Sequence, residues 1–208
     1  KDYVGMSPES GIKYNLESFK PGEEKTINIC ILVNDNSKKN LLSDLDNEII
    51  RIRKKDIKKE LEKTEKYWKK YLKDHDKLNL NKNSNISQKV KSLYNRTILL
   101  FPLIVNSEVG GISAGIETDE YKTKCGRYSY CWPRDAAFIT QAFDIVGMEE
   151  ETDRFYRSFC KKTQNKNGNW EQRFYTDGHL APSWGYQIDE TASVIFGVYD
   201  HYKKKASN

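Results

Sequence analysis

The sequence predicts a mainly α fold that follows a short run of strands. Two observations carry this. Apolar residues recur at three- and four-residue steps from Leu41 onward, and no segment after residue 40 holds the two-residue alternation of a strand. The 208 residues suffice for one or two domains with a real core. Apolar residues at 37%, with 13 Tyr and 4 Trp, exclude a disordered chain, because so many rings need burial or a stacking partner.

Residues 1–36 read as strands. Ser18–Glu24 is a turn around Pro21-Gly22, and Lys25–Val33 is a half-buried strand. From Leu41 to Leu72 the period becomes helical through Leu42, Leu45, Ile49, Ile52, Leu61 and Trp68, giving one long linker helix. Asn79–Asn85 is a polar linker. A second helix spans Ser87 to Phe101, where Pro102 bends or ends it. A third runs from Arg134 to Val146 and stops at Gly147. A fourth covers Glu151–Thr163, its acids in the first turn and its lysines in the last. A fifth runs from Asp189 to Tyr202, after a long aromatic loop over 165–187.

Composition narrows the partners. Lys and Arg total 35 against 30 Asp and Glu, a net charge of +5. The lysines on the 41–72 helix alternate with Asp56, Glu60, Glu62 and Glu65, which makes a solvated face rather than a nucleic-acid footprint. A basic interaction module built on that helix is the reading set against this one. No apolar run approaches the roughly 20 residues of a membrane span. Cys30, Cys125, Cys131 and Cys160 have no CxxC spacing, so they read as buried free thiols, with no metal and no cofactor implied. Lys1-Asp2-Tyr3-Val4 lacks the layout of a signal peptide, and cysteine usage leans towards a cytoplasmic setting, with the true N-terminus out of view.

Three segments look wrong for packing alone. Tyr128–Asp135 ends directly on a helix start. There Asp135 complements the helix dipole, or Arg134 and Asp135 together present the donor fork and acceptor pair that vicinal sugar hydroxyls need. Gly168–His179 alternates rings with polar groups, as either an ordinary loop or a carbohydrate cleft does. Trp184–Thr191 brings two carboxylates, Asp189 and Glu190, to a helix entrance. They act as capping charge, or one of them faces a ring-lined pocket where desolvation keeps it protonated as a general acid. About 100° separates neighbours on a helix, so only one of the two faces a given substrate.

Taken together, Tyr130-Cys131-Trp132-Pro133-Arg134-Asp135, Gly168-Asn169-Trp170-Glu171-Gln172-Arg173-Phe174 and Gln187-Ile188-Asp189-Glu190-Thr191 resemble glycoside hydrolase family 15, the glucoamylase family, in its prokaryotic branch. The resemblance covers residues 85–202 well and 15–75 loosely. It implies a domain order in which 1–40 ends a β-sandwich, 41–85 is the linker helix and polar linker, and 86–208 starts an (α/α)6 barrel. It implies inverting release of glucose from the non-reducing ends of α-glucans.

By the same resemblance Arg134, Asp135 and Trp132 hold the terminal sugar, while Trp170, Arg173 and Trp184 shape its pocket. Glu190 is the general acid, and Asp189 supports it or contacts the sugar. An inverting enzyme also needs a second carboxylate roughly 6.5–9.5 Å from the acid. In this family that base lies further downstream, outside this chain, so the resemblance implies a truncated barrel that is inactive alone. A non-catalytic carbohydrate-binding or regulatory domain is the alternative.

Overall fold

The computed structural model describes residues 13–16, 18–32, 41–116, 128–183 and 185–207. The chain divides into two compact units, Lys1–Glu60 and Leu61–Asn208. This division falls inside the stretch expected to act as a linker.

In the first unit the turn at Pro21-Gly22 is present, closed by the Glu23 N–H on the Lys20 carbonyl at 2.9 Å. The strand expected over Lys25–Val33 has no ladder partner among the described residues. Ile29 and Ile31 are exposed there, at 67% and 85%. A strand needs a neighbour to satisfy its backbone, and sequence alternation alone does not supply one. Cys30, expected inside, is exposed.

The single helix expected from Leu41 to Leu72 is two helices, α1 (Leu41–Arg53) and α2 (Ile57–Asp74). Asp56 makes the break. Its Oδ1 accepts the N–H groups of Lys58 and Lys59 at 3.0 and 3.3 Å, so it caps a new helix instead of continuing the old one. On α2, Glu65 pairs with Lys69 and Lys70 with Asp74, each at 2.6 Å. The basic face is thus interleaved with its own counter-charges.

In the second unit the C-terminal part of α2 packs on the core, with the Tyr71 hydroxyl 3.4 Å from the Met148 sulfur. α3 (Gln88–Leu100) starts where Ser87 predicts, with Ser87 Oγ accepting the Val90 N–H at 3.4 Å. Replacing Ser87 with alanine should cost about 1 kcal/mol, read as a shift in the denaturant midpoint with unchanged slope. Pro102 sits in a 3₁₀ turn, Phe101–Leu103.

α4 (Pro133–Val146) opens on a proline, which has no N–H to leave unsatisfied, and closes on Gly147 at φ 81°, a left-handed stop. The fourth expected helix is a composite. α5 (Glu149–Arg154) passes through a π-helical segment (Phe155–Cys160) into α6 (Lys161–Thr163). The i→i+5 spacing of that segment brings Phe155 and Cys160 onto one face, and Phe155, Phe159 and Cys160 are all buried. α7 (Ile188–Ala206) turns Glu190, Val194, Gly197 and His201 inward at three- and four-residue steps.

The core is built from Ile98, Phe101, Phe143, Met148, Phe155, Phe159, Trp170, Phe174 and Val194, with Cys131 and Cys160 buried among them. Cys125 lies outside the described residues. Two-residue antiparallel bridges, Val105 to Ile112, Cys131 to Phe174 and Phe174 to Leu180, knit the loops together without forming a sheet. The mainly α reading therefore stands. No helix among the described residues is long and apolar enough to cross a membrane.

Candidate carbohydrate site

The site forms where α4 and α7 begin. Pro133 contributes no N–H, so Arg134 carries the first free donor of α4, and it donates to Glu190 Oε2 at 2.7 Å. The Arg134 side chain folds back over the same corner. Its Nη1 donates to Asp189 Oδ2 at 2.6 Å and lies 3.2 Å from Glu190 Oε1, while Nη2 donates to Asp135 Oδ2 at 3.3 Å. Gln187 Oε1 is 3.5 Å from Nη1. One guanidinium thus gathers three carboxylates that the sequence separates by 55 residues.

Burial sorts these carboxylates. Asp135 and Asp189 are open at 40% and 57%, whereas Glu190 has no exposed side-chain surface. Burial pushes the Glu190 carboxyl up to about 7, against the pull of the Arg134 N–H and guanidinium, and Asp135 and Asp189 push it further the same way. The hydrogen bond from Arg134 holds Asp189 below the usual carboxylate range. Glu190 Oε1 accepts no hydrogen bond among the described residues. The corner therefore holds one acid poised to exchange a proton near neutrality, beside exposed acceptors and a cationic fork.

The neighbouring wall is aromatic. Arg173 lies over the rings of Tyr130 and Trp132, 4.8 and 5.4 Å from their centroids, and its Nε donates to the Pro182 carbonyl. Tyr128 stands 5.7 Å from Trp132 and is exposed. Arg173 and Trp132 are both buried, so Arg173 acts on the site through the rings it props. Trp170, expected on the pocket wall, sits in the core with its indole N–H on the Cys160 carbonyl at 2.9 Å. Its backbone N–H donates to Thr191 Oγ at 3.1 Å, which ties the aromatic loop to α7. Trp184 lies outside the described residues.

Gln187 and Thr191 were quoted as parts of a motif without roles. Their parts emerge only when α4 and the 165–187 loop meet α7. A groove of about 380 Å³, lined by Asn169, Tyr186, Gln187, Thr191 and Ile195, runs along a different face of α7 from the one carrying Glu190. The chemistry described here belongs to the Arg134 corner and not to that groove. Among the described residues no cluster of His, Cys, Asp and Glu could hold a metal ion.

No family model and no solved structure matches the chain. Over 117 residues it is 28% identical to an uncharacterized glycosyl hydrolase of Methanocaldococcus jannaschii. The matched stretch is 56% of this chain and 18% of that relative, so the chain spans under a fifth of the relative's length. The relationship is distant, and it is to a protein named as a glycosyl hydrolase.

Proposed function

We propose that the chain is part of a glycoside hydrolase of the glucoamylase type, which releases glucose from the non-reducing ends of α-glucans. The observation that carries this reading is the Arg134 corner. Asp135 and Asp189 are exposed acceptors, the Arg134 guanidinium is a donor fork, and adjacent sugar hydroxyls need both. The distant glycosyl hydrolase relative supports a carbohydrate substrate.

Glu190 is the general acid in this reading. A carboxyl raised to about 7 is protonated often enough near neutrality to give its proton to a departing oxygen. The three carboxylates share one guanidinium and so approach from one side. The base that activates water on the opposite face of the sugar is a different carboxylate, outside this cluster. Residues 86–208 form the first part of an (α/α)6 barrel in this reading, with 41–85 as its linker and 1–40 as the end of a β-sandwich.

A second reading rests on the burial of Glu190. A side chain with no exposed surface, bonded to the Arg134 N–H, is also placed to hold Arg134 for a sugar that is bound and not cleaved. Both readings require Arg134 to bind sugar. Titrating the full-length protein with maltooligosaccharides should show affinity falling about tenfold or more in Arg134→Ala, since a charged hydrogen-bond partner is removed. Unchanged affinity would remove both. Glucose release by the parent separates cleavage from binding.

A further inference from the structure

Away from the sugar corner, one buried ring joins three helical elements. His201, on the inward face of α7, is 7% exposed. Its Nδ1 lies 3.0 and 2.9 Å from the two carboxylate oxygens of Asp144 on α4, and its Nε2 lies 3.2 Å from Asp153 Oδ1 on α5. The π segment adds the Tyr156 ring, 6.1 Å from the imidazole, with its hydroxyl engaged by Thr140 at 2.8 Å. On α7 itself Asp200 is paired with Lys204 at 2.9 Å.

The two carboxylates are unequal. Asp144 is 3% exposed, and His201 is the hydrogen-bond donor it has among the described residues. Asp153 is 26% exposed and also receives Arg157 Nε at 3.0 Å and the Lys205 ammonium. Burial works against its charge, yet Lys205, Arg157 and His201 together hold it down to about 2. Asp153 therefore keeps its charge and two other donors whatever the ring does.

A singly protonated imidazole has one N–H and one lone pair. Both contacts are hydrogen bonds only when both nitrogens carry protons. If one proton leaves, the remaining one belongs on Nδ1, where the buried Asp144 depends on it. Nε2 then points a lone pair at a charged oxygen. We propose that His201 is a proton-controlled clamp: doubly protonated it ties α7 to both α4 and α5, and singly protonated it keeps α4 and lets α5 go. The α5 link is present at low pH and lost as pH rises, because losing a proton removes the donor facing Asp153. Histidine is the side chain whose charge ordinarily changes between pH 5 and 8.

The test uses ¹⁵N-labelled histidine in the full-length protein from pH 5 to pH 9, with amide exchange followed in parallel. Both His201 nitrogens should be protonated at pH 5, and Nδ1 alone at pH 9. Amide protection over 149–163 should fall about tenfold relative to α4, the change expected for one charged hydrogen bond. In Asp153→Asn that pH dependence should vanish while α4 keeps its protection, which also shows that the variant is folded. An Nε2–H tautomer at pH 9 would overturn the clamp. So would a ring doubly protonated throughout, equal loosening of α4 and α5, or an unchanged pH profile in Asp153→Asn.

Discussion

Glu190→Gln should be more stable than the parent above pH 7, by about 3 kcal/mol, and equal to it near pH 4.5. The folded protein holds the Glu190 proton up to about 7, against 4.5 for an ordinary glutamate, because burial penalises the charged form. A raised carboxyl binds its proton more tightly in the folded state. Its contribution is complete below about 4.5 and is lost as pH rises through about 7. Glutamine stays neutral and keeps an oxygen for the Arg134 N–H, so it is flat across this window. Urea midpoints of parent and variant from pH 4 to pH 8 measure the difference. Parallel curves would show that Glu190 ionises at no cost to the fold. The same variant decides its role. Loss of a general acid lowers kcat by about 10²–10⁴, whereas a residue that only holds Arg134 in place is replaced well by glutamine. A more stable and inactive variant is the expected pairing.

Gly111→Ala should cost at least about 3 kcal/mol, at the severe end for a single methyl, because the obstruction is backbone. A Cβ at Gly111 would overlap the Thr176 carbonyl oxygen and come within 2.7 Å of both the Thr176 carbonyl carbon and the Phe159 ring. Neither the loop carbonyl nor a fully buried ring has room to withdraw. Ile112, the next residue, bridges to Val105, and the Ala114 N–H reaches the Tyr130 carbonyl at 2.9 Å. Strain at Gly111 is therefore passed to the Tyr130–Trp132 wall. Thermal melts and maltooligosaccharide titration should both show the loss. A melting point equal to the parent's would mean that the Thr176 turn moves freely away from Gly111.

Features announced by short-range chemistry were legible in the sequence. Ser87 marked the start of α3, Gly147 the end of α4, and the spacing of Val194 and His201 the inward face of α7. The break at Asp56 was missed because an aspartate inside a helical period reads equally as a surface charge or a cap. Which of them it is depends on two backbone N–H groups. The π segment was missed because its cause is where Phe155, Phe159 and Cys160 meet the core, and no local pattern encodes that. At the candidate site the sequence pointed to Arg134, Asp135, Asp189 and Glu190. It did not separate buried Glu190 from exposed Asp189, since adjacent carboxylates differ only once α4 packs on α7. Trp170 carries the same lesson. A ring in a polar loop looked like a sugar platform and is a core residue whose donor is already engaged.

The π segment also bears on which changes in chain length the protein tolerates. Such a turn packs one more residue into a rise than an α turn does, so Phe155–Cys160 behaves as a single-residue insertion kept in place by its aromatic faces. Deleting one residue there would restore ordinary helical winding and rotate everything beyond it by about 100°. Thr163 would leave the core, and the loop carrying Trp170 and Arg173 would start from the wrong side of the helix. Insertions and deletions between α4 and that loop are therefore confined to its polar tip around Lys166 and Asn167, where the side chains are exposed and an added residue displaces only water.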